Sequence, residues 1–123
     1  MLKELITLLL KKGYQNICAI SGPKNESSSS ERLRGYRDAL TDAGVAVKEE
    51  NVRFGDYFFA SGAEQMKAFL KLKNHPTAVF AANNFMAYGA IQFMIETESF
   101  LNSRRKSAKC RFVNDVLQIG ERK

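Results

Sequence analysis

Two kinds of apolar pattern alternate along the first 96 residues of the chain. In the first kind the apolar residues lie three or four positions apart, as in "LKELITLLLKKG", where Leu2, Leu5 and Leu9 share one side of a predicted helix. Gly13 follows two lysines there, which is a usual way for a helix to end. The second kind is a short and nearly unbroken apolar run, as in "NICAISG" and "TAVFAA", and it predicts buried strands.

Two further helices are predicted by a polar start followed by helical spacing. Ser28-x-x-Glu31, after the loop "PKNESSSS", has the pattern of a capping box, and so has Ser61-x-x-Glu64. The residues expected to face inward are those at helical spacing, namely Leu33, Tyr36, Leu40 and Ala43 in the second helix and Ala63, Met66 and Leu70 in the third. The helices separate strands at "NICAISG", "ENVRFGD" and "TAVFAA", which predicts an α/β fold with a parallel sheet flanked by helices.

Two adjacent asparagines interrupt the apolar stretch "PTAVFAANNFMAYGAIQFM". They stand where the third strand ends, and ligands of parallel α/β sheets bind beyond the carboxyl ends of the strands. We expect one of Asn83 and Asn84 to cap the following helix and the other to offer its amide to a ligand. The pattern alone leaves open which residue does which.

Charge and cysteine content exclude several classes of protein. The net charge is +6, but the first 98 residues hold 12 of the 19 basic residues and 11 of the 13 acidic ones. The excess therefore belongs to residues 99–123, and the body shows no nucleic-acid-binding signature. Cys18 and Cys110 give neither a disulfide framework nor a metal-ligand spacing, so we expect a reduced, cytoplasmic protein without metal or cofactor. The run "LITLLL" is too short to cross a membrane.

Four segments in this order resemble the C-terminal half of the effector-binding core of the LacI/GalR family of transcriptional regulators. They are "LLLKKGYQNICAISG", "SSERLRGYRDALTDAG", "FGDYFFASG" and "PTAVFAANNFMAYGA", and together they cover residues 1 to about 96. The resemblance implies one half-domain of a periplasmic-binding-protein-like fold. It also implies a sugar or sugar-phosphate effector, bound in the cleft between two such half-domains.

The resemblance extends to three positions that contact the effector. Arg32 in "ERLRGY" matches an arginine that reaches sugar hydroxyls, and Tyr57 in "GDY" matches an aromatic residue that stacks on the ligand. Asn83 matches the asparagine of the family's Ala-Asn-Asp motif, although Asn84 replaces the aspartate. Helical geometry independently places Arg32 close to Tyr36, on the inward side of its helix.

Structural alternatives remain open for two of these residues. Arg32 is also placed to pair on the surface with Glu31 or Asp38. Tyr57 is also a candidate for the core, a place that Phe58 and Phe59 would otherwise fill.

Two parts of the resembled regulators have no counterpart in this sequence, namely the helix-turn-helix and the other half of the effector core. DNA binding is therefore expected only through a helix-turn-helix that this chain lacks, as in a fragment. We expect residues 1–98 to form the C-terminal subdomain of the effector-binding domain and residues 99–123 to form a divergent basic tail. Within that tail "CRFVNDV" is a candidate substitute strand, with Asp115 in the place of a carboxylate that bonds the sugar.

The leading interpretation is the effector-binding portion of a transcriptional regulator. A sugar-binding protein of an uptake system is the alternative, against which the sequence shows no signal peptide. An enzyme is not favoured, because the loop "SGPKNESSSS" has neither the Walker spacing nor the dinucleotide glycine pattern, and no catalytic triad is evident.

Self-association is predicted by the helix that follows Asn84, which is apolar around most of its circumference. The sheet can cover only one side of it. We expect a homodimer with Met86, Ile91 and Met94 near the contact, as the resembled family also uses this region for its subunit interface. The alternative cover is the tail from Ser99 onward, whose charge makes it a poor apolar lid.

Overall fold

A computed structural model of the chain describes residues 2–14, 16–73, 76, 78–101, 110–113 and 116–119. These residues form four α-helices and five strands in the order α1 (Leu2–Lys11), β1 (Ile17–Ser21), α2 (Ser27–Asp42), β2 (Val52–Phe54), α3 (Phe59–Leu70), β3 (Ala78–Ala81), α4 (Asn84–Leu101), β4 (Cys110–Val113) and β5 (Val116–Ile119). A 3₁₀ turn over Glu49–Asn51 precedes β2.

The strands form one sheet in the order β2-β1-β3-β5-β4. β1 pairs in parallel with β2 and β3, and Ala19 stands opposite both Val52 and Phe80. The predicted α/β fold with a parallel sheet is therefore confirmed. β5 runs antiparallel to β3 and pairs with β4, so "CRFVNDV" is divided between two strands where one was predicted. Asp115 lies outside the described residues.

Each face of the sheet carries two helices, because side chains on the two central strands alternate between two cores. On one face, Ile17 and Ala19 pack with α1 and α2 around the fully buried Tyr36. On the other face, Cys18 and Ile20 pack with α3 and α4. The Tyr36 hydroxyl donates a 2.6 Å hydrogen bond to the Ile17 carbonyl, which satisfies its only polar group inside the core.

The predicted helix ends are confirmed at both glycines. Gly13 and Gly44 have φ angles of 101° and 76°, a conformation that glycine adopts without strain. After α2 the Val45 N–H donates to the Leu40 carbonyl at 2.9 Å, closing the last turn. Ala43, which was expected to face inward, is instead the exposed C-cap residue.

The two predicted capping boxes are wrong. α2 begins at Ser27 with Glu26 as its N-cap, and the Glu26 side chain makes no capping hydrogen bond. α3 begins at Phe59, so Ser61 lies inside the helix. The Ser61 hydroxyl accepts a hydrogen bond from the Asp56 N–H at 3.0 Å instead, because the preceding loop turns back over the helix start.

α3 and α4 approach each other closely at two glycines. A Cβ atom on Gly62 would collide with the main chain of Met86, and one on Gly89 would collide with the Phe59 carbonyl oxygen. This close contact fixes the start of α4 against the start of α3. The loops that precede the two helices, which carry Tyr57 and Asn83, are thereby held side by side.

Candidate functional site

The three side chains that the sequence singled out lie at the carboxyl edge of the parallel strands. The sheet hydrogen bonds continue just past these strands, since the Gly55 N–H donates to the Ser21 carbonyl at 2.8 Å and the Ala82 N–H to Ile20 at 3.0 Å. The three strand ends are therefore level with one another. A hydrogen bond joins Asn83 to Tyr57 there, and Arg32 bonds to Ala82, the residue before Asn83.

Asn83 uses both ends of its amide. Its Oδ1 accepts the Met86 N–H at 3.0 Å, which caps α4, and its Nδ2 donates to the Tyr57 carbonyl at 2.9 Å. The cap is therefore Asn83, whereas Asn84 is exposed as the first residue of the helix. An amide has two N–H groups and two acceptor lone pairs, so one of each is left after these two bonds.

Arg32 reaches from α2 across the edge to the end of β3. Its guanidinium Nη1 donates to the Ala82 carbonyl at 2.8 Å, which places the charge directly beside Asn83. The surface ion pair with Glu31, which was the alternative role for Arg32, is made by Arg34 instead, whose guanidinium donates to Glu31 at 2.7 Å. A guanidinium has five N–H groups in a rigid fork. The N–H that donates to Ala82 holds the group in place and leaves the other N–H groups out of that bond.

Tyr57 is held in an unusual backbone conformation, with φ at 75°. Its ring lies against Gly22, where a Cβ atom would collide with the phenol, and its hydroxyl donates to the Glu26 carboxylate at 2.7 Å. The side chain is half-buried, so it packs against the edge of the core formed with α3 and α4 and is not enclosed within it. The expectation that Phe58 and Phe59 fill the core is also wrong, because 69% and 46% of these side chains are exposed.

The left-handed conformation of Tyr57 is supported on both sides of the residue. The Asp56 carboxylate accepts the Phe58 N–H at 2.9 Å, which closes a tight turn around Tyr57. On the other side Asn83 holds the Tyr57 carbonyl. A non-glycine residue at positive φ costs of order 1 kcal/mol or more and persists where its surroundings hold it, frequently at functional sites.

Glu26 belongs to this edge, and the sequence analysis missed it. The residue is the N-cap of α2, and its carboxylate accepts the Tyr57 hydroxyl and lies 3.4 Å from the Ser28 hydroxyl. No spacing in "PKNESSSS" marks it, because its contact is with a residue 31 positions away. The edge therefore carries a carboxylate as well as the Arg32 guanidinium.

Other chemically active groups stand apart from this edge. Burial raises the pKa of the Cys18 thiol to about 12, so that thiol is protonated at neutral pH. Within the described residues, no group of three or more His, Cys, Asp and Glu side chains is arranged to hold a metal ion. A membrane-crossing helix is also absent from the part of the chain that the structure describes.

The residues predicted near a subunit contact have different exposures. Met86 and Met94 are buried in the core formed with α3, and Ile91 is half-buried. Among the side chains of α4 that the structure describes, which end at Glu96, the large exposed apolar ones are instead Phe85, Tyr88 and Ile95. α4 thus has an apolar outer face, and this face lies beside the buried face that carries the two methionines.

The comparisons with known proteins point to one family. Residues 1–105 match the model of the periplasmic binding proteins and sugar-binding domain of the LacI family. The HTH-type transcriptional regulator CelR of Thermobifida fusca is 36% identical over 86 residues, which are 70% of this chain and 25% of that protein. The chain thus spans about a quarter of the length of the curated relatives it matches.

Two solved structures share the fold. One is a sugar-binding transcriptional regulator of the LacI family from Escherichia coli complexed with phosphate, with a TM-score of 0.75 and 33% identity over 78% of this chain and 34% of that one. The other is a CelR–cellobiose complex, with a TM-score of 0.73 and 32% identity over 78% of this chain and 29% of that one. With the level strand ends and the family match over residues 1–105, these likenesses show that the chain belongs to the family of periplasmic binding proteins and sugar-binding domains of LacI-type regulators.

Proposed function

We propose that this chain forms one wall of the sugar-binding cleft of a LacI-type transcriptional regulator. The observation that carries the proposal is the hydrogen-bonded arrangement at the carboxyl edge. Asn83 donates to the Tyr57 carbonyl, and Arg32 donates to the carbonyl of Ala82, which precedes Asn83 in the chain, so the three predicted contact residues lie together as one group. That group lies where ligands of parallel α/β sheets bind.

Each of the three residues has a chemical role in this proposal. The Tyr57 ring is the apolar platform for the C–H face of a sugar, and its backbone clamps keep the ring in place. Arg32 and Asn83 supply the polar contacts, since each has N–H groups beyond those used within the chain. Asp115, the fourth residue suggested by the resemblance, stays a prediction.

The similar proteins support a sugar as ligand and regulation as activity. One of them was solved as a complex with cellobiose, and the curated relatives are transcriptional regulators and repressors. An uptake protein is not favoured by these relatives. We propose, by the same likeness, a cytoplasmic protein that performs no catalysis and acts on DNA only together with a helix-turn-helix.

Homodimer formation is part of the proposal. The apolar outer face of α4, formed by Phe85, Tyr88 and Ile95, lies on the side of the helix away from the sheet. A contact there would bury these side chains against a second copy. Ile91, which is half-buried, stays a predicted contact residue, whereas the buried Met86 and Met94 would support the contact from inside.

A thermal-shift screen of sugars and sugar phosphates tests the proposed function. A ligand that binds the native state raises the midpoint of unfolding by mass action, even when binding is weak and the ligand is in large excess. We expect stabilisation by at least one sugar or sugar phosphate, and none of it in the Asn83→Asp, Arg32→Ala double variant. A screen in which no compound of either class stabilises the wild-type chain would contradict the proposal.

A further inference from the structure

We infer that Glu26 makes the edge formed by Arg32, Tyr57 and Asn83 selective for uncharged polyhydroxyl ligands and against phosphorylated or carboxylated ones. The inference rests on the proposed function, because it names the ligand class of the same site. The contact that carries it is the 2.7 Å hydrogen bond from the Tyr57 hydroxyl to the Glu26 carboxylate. Through this bond a negative charge is held at the rim of the tyrosine ring that would carry the ligand.

Without Glu26, the same edge would attract anions. The Arg32 guanidinium is a permanent positive charge. α2 also begins here, and the first N–H groups of a helix have no partner within the helix. The buried Ser29 hydroxyl in that first turn has no hydrogen-bond partner among the described residues. The Glu26 carboxylate at the N-cap position therefore counteracts the positive potential of Arg32 and of the helix N-terminus, which would otherwise bind a phosphate.

Glu26 is arranged to repel an anion and to accept hydroxyl groups. Its side chain makes no capping bond to α2, so the carboxylate is not drawn into the helix terminus. A carboxylate is an acceptor only, with about four lone-pair positions, and the hydroxyls of Tyr57 and Ser28 use only part of that capacity. Sugar hydroxyls can donate to the rest, whereas a phosphate or carboxylate group carries a net negative charge at neutral pH that the Glu26 carboxylate repels.

The substitution Glu26→Gln separates the effect of the negative charge from the effect of side-chain shape. Glutamine keeps an oxygen that can accept the Tyr57 hydroxyl, so the ring keeps its support while the negative charge is removed. Glu31→Gln is the matched control, because Glu31 is exposed on the same helix and its carboxylate accepts a hydrogen bond from Arg34. Because Glu26 is exposed, its repulsion is screened by salt, and the effect is expected to be about three- to tenfold at low ionic strength and smaller at high ionic strength.

The experiment is an amide NMR titration of the wild-type chain, Glu26→Gln and Glu31→Gln. The probes are glucose, glucose 6-phosphate and inorganic phosphate. We expect glucose to perturb the edge in all three proteins, and both phosphates to bind about three- to tenfold more tightly to Glu26→Gln than to the other two.

Each other outcome has a separate meaning. Equal phosphate binding by all three proteins, or none by any of them, would overturn the role of Glu26 and leave the proposed sugar site standing. A gain of phosphate binding in Glu26→Gln without any response to a sugar would support the charge effect and count against the proposed function.

Discussion

At the scale of single residues, Asn83 shows how one side chain can both build the proposed site and belong to it. Its oxygen caps α4 and its N–H holds the Tyr57 carbonyl, so the amide fixes the relative position of two loops. Arg32 is likewise held by a main-chain carbonyl and not by another charge. A site with such supports is ordered before the ligand arrives, which lowers the entropy cost of binding.

Replacement of the polar contact residues should weaken sugar binding. In a regulator that carries both walls of the cleft, we expect Arg32→Ala and Asn83→Ala each to cost about 1–3 kcal/mol of binding free energy, as a lost charged or buried hydrogen bond does. Calorimetry or NMR titration measures the loss. Arg34→Ala is the control for Arg32→Ala, because Arg34 pairs on the surface with Glu31, and unchanged binding by Arg32→Ala would remove Arg32 from the site.

Asn83→Ala also removes a helix cap, so its effect on binding has to be separated from an effect on stability. A lost N-cap costs about 1 kcal/mol of unfolding free energy. Asn83→Asp keeps an oxygen for the Met86 N–H and replaces the donor to Tyr57 by a negatively charged acceptor. We therefore expect Asn83→Asp to be more stable than Asn83→Ala in urea unfolding, while both bind sugar weakly.

The tyrosine platform depends on the glycine beneath it. An added methyl group on Gly22 would overlap the Tyr57 ring, so Gly22→Ala should push the ring out of place and reduce sugar binding by about fivefold or more. Tyr57→Phe keeps the ring and loses only the bond to Glu26, and it should bind more tightly than Gly22→Ala. Equal binding by wild type and Gly22→Ala, measured by NMR titration, would show that the ring is not the platform.

At the scale of helices and strands, the apolar patterns correctly predicted which elements form. The polar patterns failed to predict the residues at which α2 and α3 begin. The runs in "NICAISG" and "TAVFAA" became β1 and β3, because a strand covered on both faces must be apolar throughout. The capping boxes predicted at Ser28 and Ser61 are wrong because a capping box depends on the conformation of the local turn. In the structure both hydroxyls have other partners. Glu26 and the contacts of Tyr57 were beyond sequence analysis because they join residues distant along the chain.

The crossing of α3 and α4 should be the least tolerant of added volume. Gly89→Ala places a methyl group into the Phe59 carbonyl, so we expect a loss of about 1–3 kcal/mol in unfolding free energy. Gly35→Ala is the control, because Gly35 lies within α2 and its nearest neighbour would be 3.3 Å away. Urea unfolding measures both, and a Gly89→Ala protein as stable as Gly35→Ala would contradict the observed packing.

At the scale of the whole molecule, the α4 surface and the open ligand edge both point to further partners. Phe85 and Ile95 are 62% and 54% exposed, which is costly for a helix surface facing water. The edge residues likewise form a single wall, whereas sugar sites normally enclose their ligand. The apolar pattern predicted an uncovered face on α4 and the resemblance predicted the single wall, but the pattern misplaced the outer face of α4 because an apolar helix does not show which side meets the sheet.

Self-association should therefore depend on the outer face of α4. We expect a dimer or larger oligomer in sedimentation experiments, and Ile95→Glu or Ile91→Glu should dissociate it by placing a charge at the contact. Ser30→Glu is the control, because Ser30 is exposed on α2, which lies on the opposite face of the sheet. A monomer at high micromolar concentration that Ile91→Glu leaves unchanged would rule out this interface.

The central claim is that the group formed by Arg32, Tyr57 and Asn83 is one wall of a sugar site, and an amide NMR titration of the chain with uncharged mono- and disaccharides tests it most directly. Exposed hydrogen bonds contribute only about 1 kcal/mol each, so one wall should bind no better than millimolar. We predict weak, saturable perturbations centred on these three residues and on Gly22. Micromolar affinity, or perturbations that are centred elsewhere and absent from the three residues, would contradict the account.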